Sequence, residues 1–377
     1  MFKKIKFLCF GICLTLAMFS LTAFAALSDI EGINGSNVIS RWNDESIIKG
    51  YPDGCFYPDK TITRAEFARV ISDLFVLESD AKEFADVSED AWYYTYVQNA
   101  SDYIACCEAG EDGLCDNLFQ PDKAMRKKEA LEILSKLTTV AEETVLSAEG
   151  ELTRAEFVVM LDEILGGENG FYFMLAVMDA EVIEDNEILP LTVLASSSDM
   201  ATFNGEGQVL LLSWHKYPDS YIPGEQFTCK YGEMWTFTDK EILSWYHKNN
   251  QGITDWELRF EQLLGLPATD NKTHVSAFWV DMDEIIRPAY VTDVAMQISP
   301  DALDGSQLGD YKDWFNSNAE YSYNTSAYPW TRLGYTYDWC KDTNEYGLTE
   351  FIILPNSVID VEWTKSFDEF LNWMAEN

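Results

Sequence analysis

Histidine and positive charge are scarce in this 377-residue chain. It has three histidines, and 26 lysines and arginines stand against 64 aspartates and glutamates, which gives a formal net charge of −38. So few histidines leave little room for a multi-histidine metal site. A surface this acidic repels phosphate backbones and anionic headgroups, so we expect no binding to nucleic acid or to membrane surfaces.

Familiar catalytic motifs are also missing. The chain has no Gly-x-Ser-x-Gly, no glycine-rich phosphate loop and no His-Glu-x-x-His. No cofactor and no metal are therefore predicted. Calcium held by clustered carboxylates stays open, although no Asp-x-Asp-x-Asp-Gly loop is present. Carboxylate pairs that could hydrolyse glycosides, such as Glu225 with Glu233, arise by chance in so acidic a chain, so enzymatic activity is uncertain and is not the favoured interpretation.

A long apolar run occurs at the N-terminus and nowhere later. Three lysines precede residues 7–24, which carry no charge, and Ala23-Phe24-Ala25 has the small-x-small pattern of a cleavage site. This layout predicts a secretory signal peptide over residues 1–25. The remaining chain carries 23 basic against 64 acidic residues. It has no second run long enough to span a bilayer, so we expect an exported protein without a stable membrane span.

Six of the eight cysteines follow the signal peptide, and an exported chain can form disulfides. Cys229 and Cys340 are the two cysteines of the second half, and we predict a disulfide between them. In the first half, Cys115 with Cys106 or Cys107 would close an acidic loop. A zinc site built from all four first-half cysteines is the alternative, although no two of them are separated by two residues.

The first half contains three similar segments, which predict repeated units that share one core. Apolar residues at helical spacing follow each segment and predict a helix there. The segments begin at Gly50, Leu118 and Gly150. They give repeats over about 27–77 and 84–137 and a degenerate repeat over 138–167.

Two of these helices are predicted to start with a capping box. Thr63 with Glu66, and Thr153 with Glu156, have the spacing at which the hydroxyl accepts from the third helical amide while the carboxylate accepts from the threonine amide. Such a cap contributes about 1 kcal/mol. The arginine after each threonine stands where the helix dipole disfavours a cation. That cost suggests an outward arginine that serves a ligand, with a surface ion pair as the alternative.

These elements resemble S-layer homology domains over about residues 27–167. The matching elements are Gly50-Tyr-Pro-Asp-Gly54 with Phe56-x-Pro58-Asp, Ile62-Thr-Arg-Ala-Glu-Phe67, and Phe84-x-Asp86-Val87 followed by Trp92, with Leu27-Ser-Asp29-Ile30 as a second copy of the last. The resemblance implies an all-α, pseudo-threefold helical spindle of repeats. Such domains bind secondary cell-wall polymer, often pyruvylated, in grooves between the repeats.

The resemblance also implies which residues bind the polymer. The positions carried over are Arg64, Arg154, Lys127, Asp29, Asp86, Trp92 and Gly50. A planar guanidinium suits a sugar carboxylate because it can donate two parallel hydrogen bonds. The second repeat departs from the pattern, since Lys127 replaces the arginine and Arg126 the capping threonine. The third repeat shows no obvious first helix, so we expect one or two competent grooves.

The second half is predicted to be a different domain. Residues 168–200 are interpreted as a connector, and residues 201–377 as an α+β domain of unknown function with a partly antiparallel sheet. Buried-strand patterns occupy 208–214, 275–280, 349–354 and 358–363. Capping boxes at Thr238 with Glu241, Thr254 with Glu257, and Ser366 with Glu369 indicate helices.

Ten of the twelve tryptophans follow residue 200. Exposed aromatic rings can stack on sugars, although most aromatic residues fill cores. Within the aromatic stretch 321–339, we select Tyr328, Trp330, Arg332 and Tyr335 as a surface for an anionic or carbohydrate ligand.

These features together predict a secreted cell-surface protein. It would be anchored non-covalently to secondary cell-wall polymer through its repeats and would display a C-terminal binding domain whose ligand is unknown. A cell-surface polysaccharide hydrolase and a structural component of a surface array are the alternatives.

Overall fold

The computed structural model describes residues 27–79, 84–104, 117–269, 271–303, 309–325, 328–341 and 343–377. The predicted signal peptide and Cys106, Cys107 and Cys115 lie outside these residues. Among the described residues, no helix combines the length and the apolar character needed to cross a membrane.

The N-terminal region consists of helices, as its periodicity predicts. In the described part they are α1 (Ser36–Asp44), α2 (Arg64–Leu74), α3 (Tyr94–Asn99), α4 (Lys127–Leu137), α5 (Glu142–Ser147), α6 (Arg154–Leu165) and α7 (Gly167–Ala180). The long helices α2, α4 and α6 follow the three repeated segments and bury their apolar faces in one core. The third repeat does have a short first helix, α5, so the expectation that it lacks one was wrong.

The turns that precede α2, α4 and α6 form a closed ring of backbone hydrogen bonds. The Ile62 amide donates to the Leu152 carbonyl, the Leu152 amide to the Met125 carbonyl, and the Met125 amide to the Ile62 carbonyl, each at 2.9 Å. All three side chains are buried. The three repeats therefore meet at this ring, and their long helices start from it.

Each short helix packs on the long helix of another repeat. Helix α1 lies against α6, α3 against α2, and α5 against α4. Because these pairs cross between repeats, no single repeat completes its own core.

Helix α7 belongs to both halves of the protein. Phe171 is buried in the N-terminal core, with its ring centroid 4.8 Å from that of Trp42. Ala176 and Ala180 pack in a cluster with Trp339 of the second half. The first part of the segment interpreted as a connector is therefore a helix that both halves share.

The second half is an α+β domain, as predicted. Its strands are β1 (Val209–His215), β2 (Gln226–Thr228), β3 (Met234–Thr238), β4 (His274–Val280), β5 (Ile285–Ile286), β6 (Tyr335–Asp338), β7 (Glu345–Thr349), β8 (Phe351–Ile353) and β9 (Val358–Ser366). Its helices are α8 (Asp239–Asn249), α9 (Trp256–Leu263), α10 (Asp310–Glu320) and α11 (Phe367–Glu376), and a π-helical turn, Tyr321–Thr325, follows α10.

Seven strands form one sheet in the order β2-β9-β4-β1-β3-β8-β5, and β6 pairs with β7 in a separate hairpin. Every described strand pair is antiparallel. The central strand β1 is buried on both faces: Leu210 and Leu212 pack under the helices, and Val209 and Leu211 pack on the opposite side. Burial on both faces explains why β1 is a continuous apolar run without alternation.

The predicted capping boxes of the repeats are confirmed. The Thr63 hydroxyl accepts from the Glu66 amide and the Glu66 carboxylate accepts from the Thr63 amide, and Thr153 and Glu156 repeat this arrangement. At α4, Arg126 occupies the capping position and none of its side-chain atoms caps the helix in the described structure. One of the three long helices thus starts without this stabilisation.

We expect Arg126→Thr to stabilise the protein by about 1 kcal/mol, because Glu129 already stands three residues later and completes a capping box. Thr153→Ala should destabilise the protein by a similar amount, since it removes an existing cap. Urea unfolding of the full chain, followed by far-ultraviolet circular dichroism, measures both. A lowered midpoint for Thr153→Ala with no gain for Arg126→Thr would contradict the expectation for α4.

Candidate functional site

Each cation that follows a capping position contacts the third residue of another repeat's long helix. The pairs are Arg64 with Glu129, Lys127 with Glu156 at 2.7 Å, and Arg154 with Glu66 at 3.2 Å. From donor to acceptor, these pairs also close a circle through the three repeats, in the direction opposite to that of the backbone ring. The three cations therefore hold the repeats together, whatever else they contact.

Arg64 and Arg154 are buried, with 3% and 8% of their surface exposed, so the predicted outward orientation was wrong. Arg64 Nε donates to the Phe119 carbonyl at 2.7 Å, and Arg154 Nε donates to the Phe56 carbonyl at 2.9 Å. Each guanidinium also lies over the ring of the same phenylalanine, 5.0 and 4.5 Å from its centroid. Loops of other repeats supply these acceptors, which the local sequence cannot show.

Asp29 and Asp86 hold the two loops that receive the arginines. Asp29 accepts hydrogen bonds from the amides of Phe56 and Tyr57 at 2.6 and 2.7 Å, and Asp86 accepts from the two equivalent amides of the second repeat at 2.7 Å. Tyr57 has a φ of 56°, a left-handed conformation that is uncommon outside glycine. These carboxylates thus position the loop carbonyls, and their hydrogen bonds are to backbone amides.

A groove of about 220 Å³ contains contributions from all three repeats, and we call it the N-terminal groove. The lining residues that matter to its chemistry are Gly50, Tyr51, Glu66, Arg69, Trp92 and Arg154. It brings together Gly50, Trp92 and Arg154 from the predicted binding set. Arg64 and Lys127 do not line it.

Gly50 and Trp92 shape the N-terminal groove in different ways. A β-carbon on Gly50 would lie 2.6 Å from Leu27 Cδ2 and 3.0 Å from the Cys55 carbonyl oxygen, so a larger residue would displace its neighbours. Trp92 is 59% exposed. A ring this exposed is available to stack on a ligand.

The N-terminal groove is positively charged although the chain is strongly acidic. Among the described residues that line it, Lys49, Arg69 and Arg154 stand against one carboxylate, that of Glu66. Burial alone would raise the pKa of Glu66, but hydrogen bonds from the Thr63 amide and the Tyr51 hydroxyl, with the charge of Arg154, lower that pKa overall. Glu66 is therefore ionised, and the lining residues carry two positive charges in excess, one of them on Arg69 with Asp73 beside it outside the lining.

Sequence reasoning missed Arg69 and Lys49. Arg69 Nε lies 3.7 Å from Asp73 Oδ2, one helical turn later, so the sequence pattern favours a local surface pair. The available signal was the scarcity of basic residues. In a chain with so few basic residues, those close to a repeated segment are candidates for binding an anionic ligand.

A larger cavity of about 430 Å³, the C-terminal cavity, lies in the second half. Residues of β1, β3 and β6 line it, together with the segment that follows α10. Its lining includes Tyr328, Trp330 and Tyr335, three of the four residues predicted to form a ligand surface.

Arg332, the fourth of those residues, is not part of the cavity lining. Its Nη2 donates to the carbonyls of Ala180 and Glu181 at 3.1 and 2.6 Å, and its guanidinium lies 5.1 Å from the ring centroid of Tyr323. Arg332 therefore fastens the second half to the end of α7. The expectation that it clamps a ligand beside Trp330 was wrong.

Glu350 lines the C-terminal cavity and was missed by sequence reasoning. It lies between β7 and β8, and its Oε1 accepts a hydrogen bond from Trp330 Nε1 at 3.1 Å. Burial raises the pKa of Glu350 to about 8, because desolvation penalises the charged form. The side chain is thus mostly a neutral acid at pH 7, and nothing in the sequence marks it among 64 acidic residues.

His215 has a structural role beside this cavity. Its Nδ1 accepts from the Tyr217 amide at 3.1 Å, so the proton of the neutral ring is on Nε2, 2.7 Å from Ser276 Oγ. Burial lowers the pKa of His215 to about 4. A histidine that donates to a serine cannot accept the serine proton, so the pair is not a nucleophilic dyad.

The predicted disulfide between Cys229 and Cys340 is absent from the described structure, since Cys229 is a free and buried thiol. Cys229 follows β2 at an edge of the large sheet, whereas Cys340 follows β6 in the separate hairpin. Burial raises the pKa of Cys229 to about 11. A thiol that stays protonated is a poor nucleophile.

Three carboxylates approach one another where α7 meets the hairpin. The ligand atoms of Asp179, Glu187 and Glu345 all lie within 4.8 Å of one another. Burial raises the pKa of Glu187 and of Glu345, and the Tyr337 hydroxyl donates to Asp179 at 2.9 Å. Acidic groups of this kind are common on proteins that bind no ion, so we assign no calcium site here.

Glu350→Gln should change how stability depends on pH. The pKa of Glu350 is raised from 4.5 to about 8, so the folded state keeps a proton that the unfolded state releases. This stabilisation is complete below pH 4.5 and is lost as the pH rises to about 8. We therefore expect the native protein to lose more stability than Glu350→Gln between pH 6.5 and 8.

Urea midpoints over that window isolate the effect of Glu350, because His215 acts in the opposite direction at lower pH. The pKa of His215 is lowered from 6.5 to about 4, so its contribution grows as the pH rises from 4 to 6.5 and is then constant. Identical slopes for the native protein and Glu350→Gln would show that Glu350 is not a buried neutral acid.

Comparison with known proteins identifies the first repeat. Residues 26–68 match the S-layer homology domain. The chain is 33% identical over 122 residues to the Surface-layer 125 kDa protein of Lysinibacillus sphaericus. This alignment covers 31% of this chain and 10% of that protein. It is also 30% identical over 101 residues to the Cellulosome-anchoring protein of Acetivibrio thermocellus. That alignment covers 25% of this chain and 21% of that protein.

These matches confirm the predicted resemblance to S-layer homology domains and indicate a secreted, cell-surface protein. The chain spans 10% and 21% of the lengths of these two relatives. The family match itself lies in the N-terminal region.

Proposed function

We propose that the N-terminal repeats hold this protein non-covalently at the cell surface by binding an anionic secondary cell-wall polymer, and that the C-terminal domain is displayed outward as a binding module. The observation that carries the proposal is the N-terminal groove, where excess positive charge lies beside an exposed tryptophan in a chain of net charge −38. The S-layer homology match and the name of the cellulosome-anchoring relative support it.

The ring of turns and the crossed helix pairs support a finer proposal for the fold. Three long helices that start from one hydrogen-bonded ring, each paired with a short helix of another repeat, fit a pseudo-threefold helical spindle. In such a spindle the grooves lie between repeats, where the N-terminal groove is found.

Arg154 retains capacity for a ligand although it is buried. Its Nε donates to Phe56, its Nη2 to the Lys49 carbonyl at 3.0 Å and its Nη1 to Glu66. A guanidinium has five N–H donors, so these contacts leave two for a sugar carboxylate. Trp92 offers its exposed ring to the sugar face, and Arg69 adds positive charge.

The positions that correspond to Arg154 in the other repeats are less suited to the polymer. Arg64 makes the same kinds of contact as Arg154, with Phe119 and Glu129, but it is not part of the lining of the N-terminal groove. Lys127 presents a point charge, already paired with Glu156, in place of a planar fork. We therefore infer one competent groove among the described residues.

Arg69→Ala should weaken retention on cell walls by roughly tenfold, the scale of one lost hydrogen bond to a charged group. Trp92→Ala should weaken it by roughly two- to tenfold, the scale of one lost ring contact. Neither side chain belongs to the backbone ring or to the three ion pairs that connect the repeats. We expect the free energy of unfolding to change by about 0.5 kcal/mol or less, because surface ion pairs contribute little. Co-sedimentation of the full chain with walls that keep or lack their secondary polymer measures retention.

Lys128→Ala is the matched control, since Lys128 is an exposed cation of α4 outside the groove. Arg154→Ala is unsuitable, because removing one partner of a buried ion pair costs about 3–5 kcal/mol of stability. Equal retention on both kinds of wall, or unchanged retention of both groove variants, would refute the proposal.

A further inference from the structure

The walls of the C-terminal cavity carry aromatic rings that reach the surface. Trp235 and Tyr321 are 36% and 50% exposed and both line the cavity. Trp235 packs edge-on against Trp330 at 6.2 Å, and Tyr321 stacks on Tyr328 at 6.5 Å. Rings that are already held by their neighbours lose little freedom when a ligand settles on them.

Glu350 is a buried polar group in the lining of the cavity. The hydroxyls of Tyr335 and Tyr337 are engaged elsewhere, since they donate to the Glu187 carbonyl and to Asp179, each at 2.9 Å. The carboxyl of Glu350 is held by Trp330 Nε1. A neutral carboxylic acid can both donate and accept a hydrogen bond, which is what a hydroxyl-bearing ligand requires.

The charge of the lining favours an uncharged ligand. Among the described lining residues, Lys272 is the one ordinary cation and Glu233 the one ordinary anion, because Glu350 and His215 are neutral at pH 7. Arg332 lies outside the cavity. The volume of about 430 Å³ falls in the range of small-molecule sites.

We propose that the C-terminal cavity binds a neutral sugar residue of a glycan, with its apolar face against the exposed aromatic rings and a hydroxyl hydrogen-bonded to Glu350. The inference rests on the proposed role of the C-terminal domain as a binding module and names its ligand class. The C–H face of a pyranose suits an aromatic wall, and the absence of a dominant charge disfavours anionic sugars and cations alike.

The test is calorimetric titration of the full chain with two neutral probes, oligomers of β-linked glucose and oligomers of N-acetylglucosamine. These probes distinguish a glycan from outside the cell from one related to the wall. We expect saturable binding of at least one. Trp235→Ala should weaken the affinity at least tenfold. Glu350→Gln should keep the affinity within about threefold, because an amide still donates and accepts a hydrogen bond, whereas Glu350→Leu should abolish binding, because an alkyl group does neither.

Tyr231→Ala is the matched control, since Tyr231 is an aromatic residue that is 89% exposed and does not line the cavity. The Tyr231→Ala variant should bind the oligomers with the affinity of the native protein. The inference is overturned if neither oligomer binds at millimolar concentration, if Trp235→Ala binds as well as the control, or if glucuronate or choline binds in place of the neutral sugars.

Wall co-sedimentation of the same variants keeps this inference separate from the anchoring proposal. Trp235→Ala should keep the part of its wall retention that depends on the secondary polymer, measured as the difference between walls that keep and walls that lack it. Normal wall retention without sugar binding would reject the cavity ligand and leave the anchor intact, whereas sugar binding without polymer-dependent retention would reject the anchor alone.

Discussion

Three backbone hydrogen bonds, from Ile62 to Leu152, from Leu152 to Met125 and from Met125 back to Ile62, fix the geometry of the N-terminal region. They set the starting points of the long helices, and the cation of each repeat then reaches a glutamate of another. The N-terminal groove depends on this closure. Gly50, Trp92 and Arg154 come from three different repeats, and no repeat alone could present them together.

Local sequence signals predicted the three long helices and the two capping boxes of the repeats correctly, but they missed the short helix α5. Thr63 and Thr153 stabilise turns within three residues of themselves, and a contact that short is visible in the sequence. The inward orientation of the arginine side chains could not be predicted, because their hydrogen-bond acceptors are distant in the sequence. Phe119 lies 55 residues from Arg64, and Phe56 lies 98 residues from Arg154. The arginine side chains turned inward because loops of other repeats offered carbonyls and rings.

The second half shows the same division between local and distant signals. The apolar run of β1 correctly indicated a strand buried on both faces. The capping box expected at Thr238 and Glu241 is not formed, although α8 begins there. Glu241 instead accepts from the amide and hydroxyl of Thr349 in β7. Glu350 was also not predicted, because its environment depends on Trp330, 20 residues away, and not on its own segment.

Helix α7 gives the molecule a fixed mechanical connection. A flexible linker would let the C-terminal domain rotate relative to the repeats, but α7 is packed into the N-terminal core at Phe171 and is hydrogen-bonded at its far end by Arg332. A force that pulls the two halves apart therefore acts on helix α7 and on its side-chain contacts, and not on a flexible segment of chain. The direction in which the C-terminal cavity opens is therefore tied, through α7, to the direction in which the N-terminal groove faces.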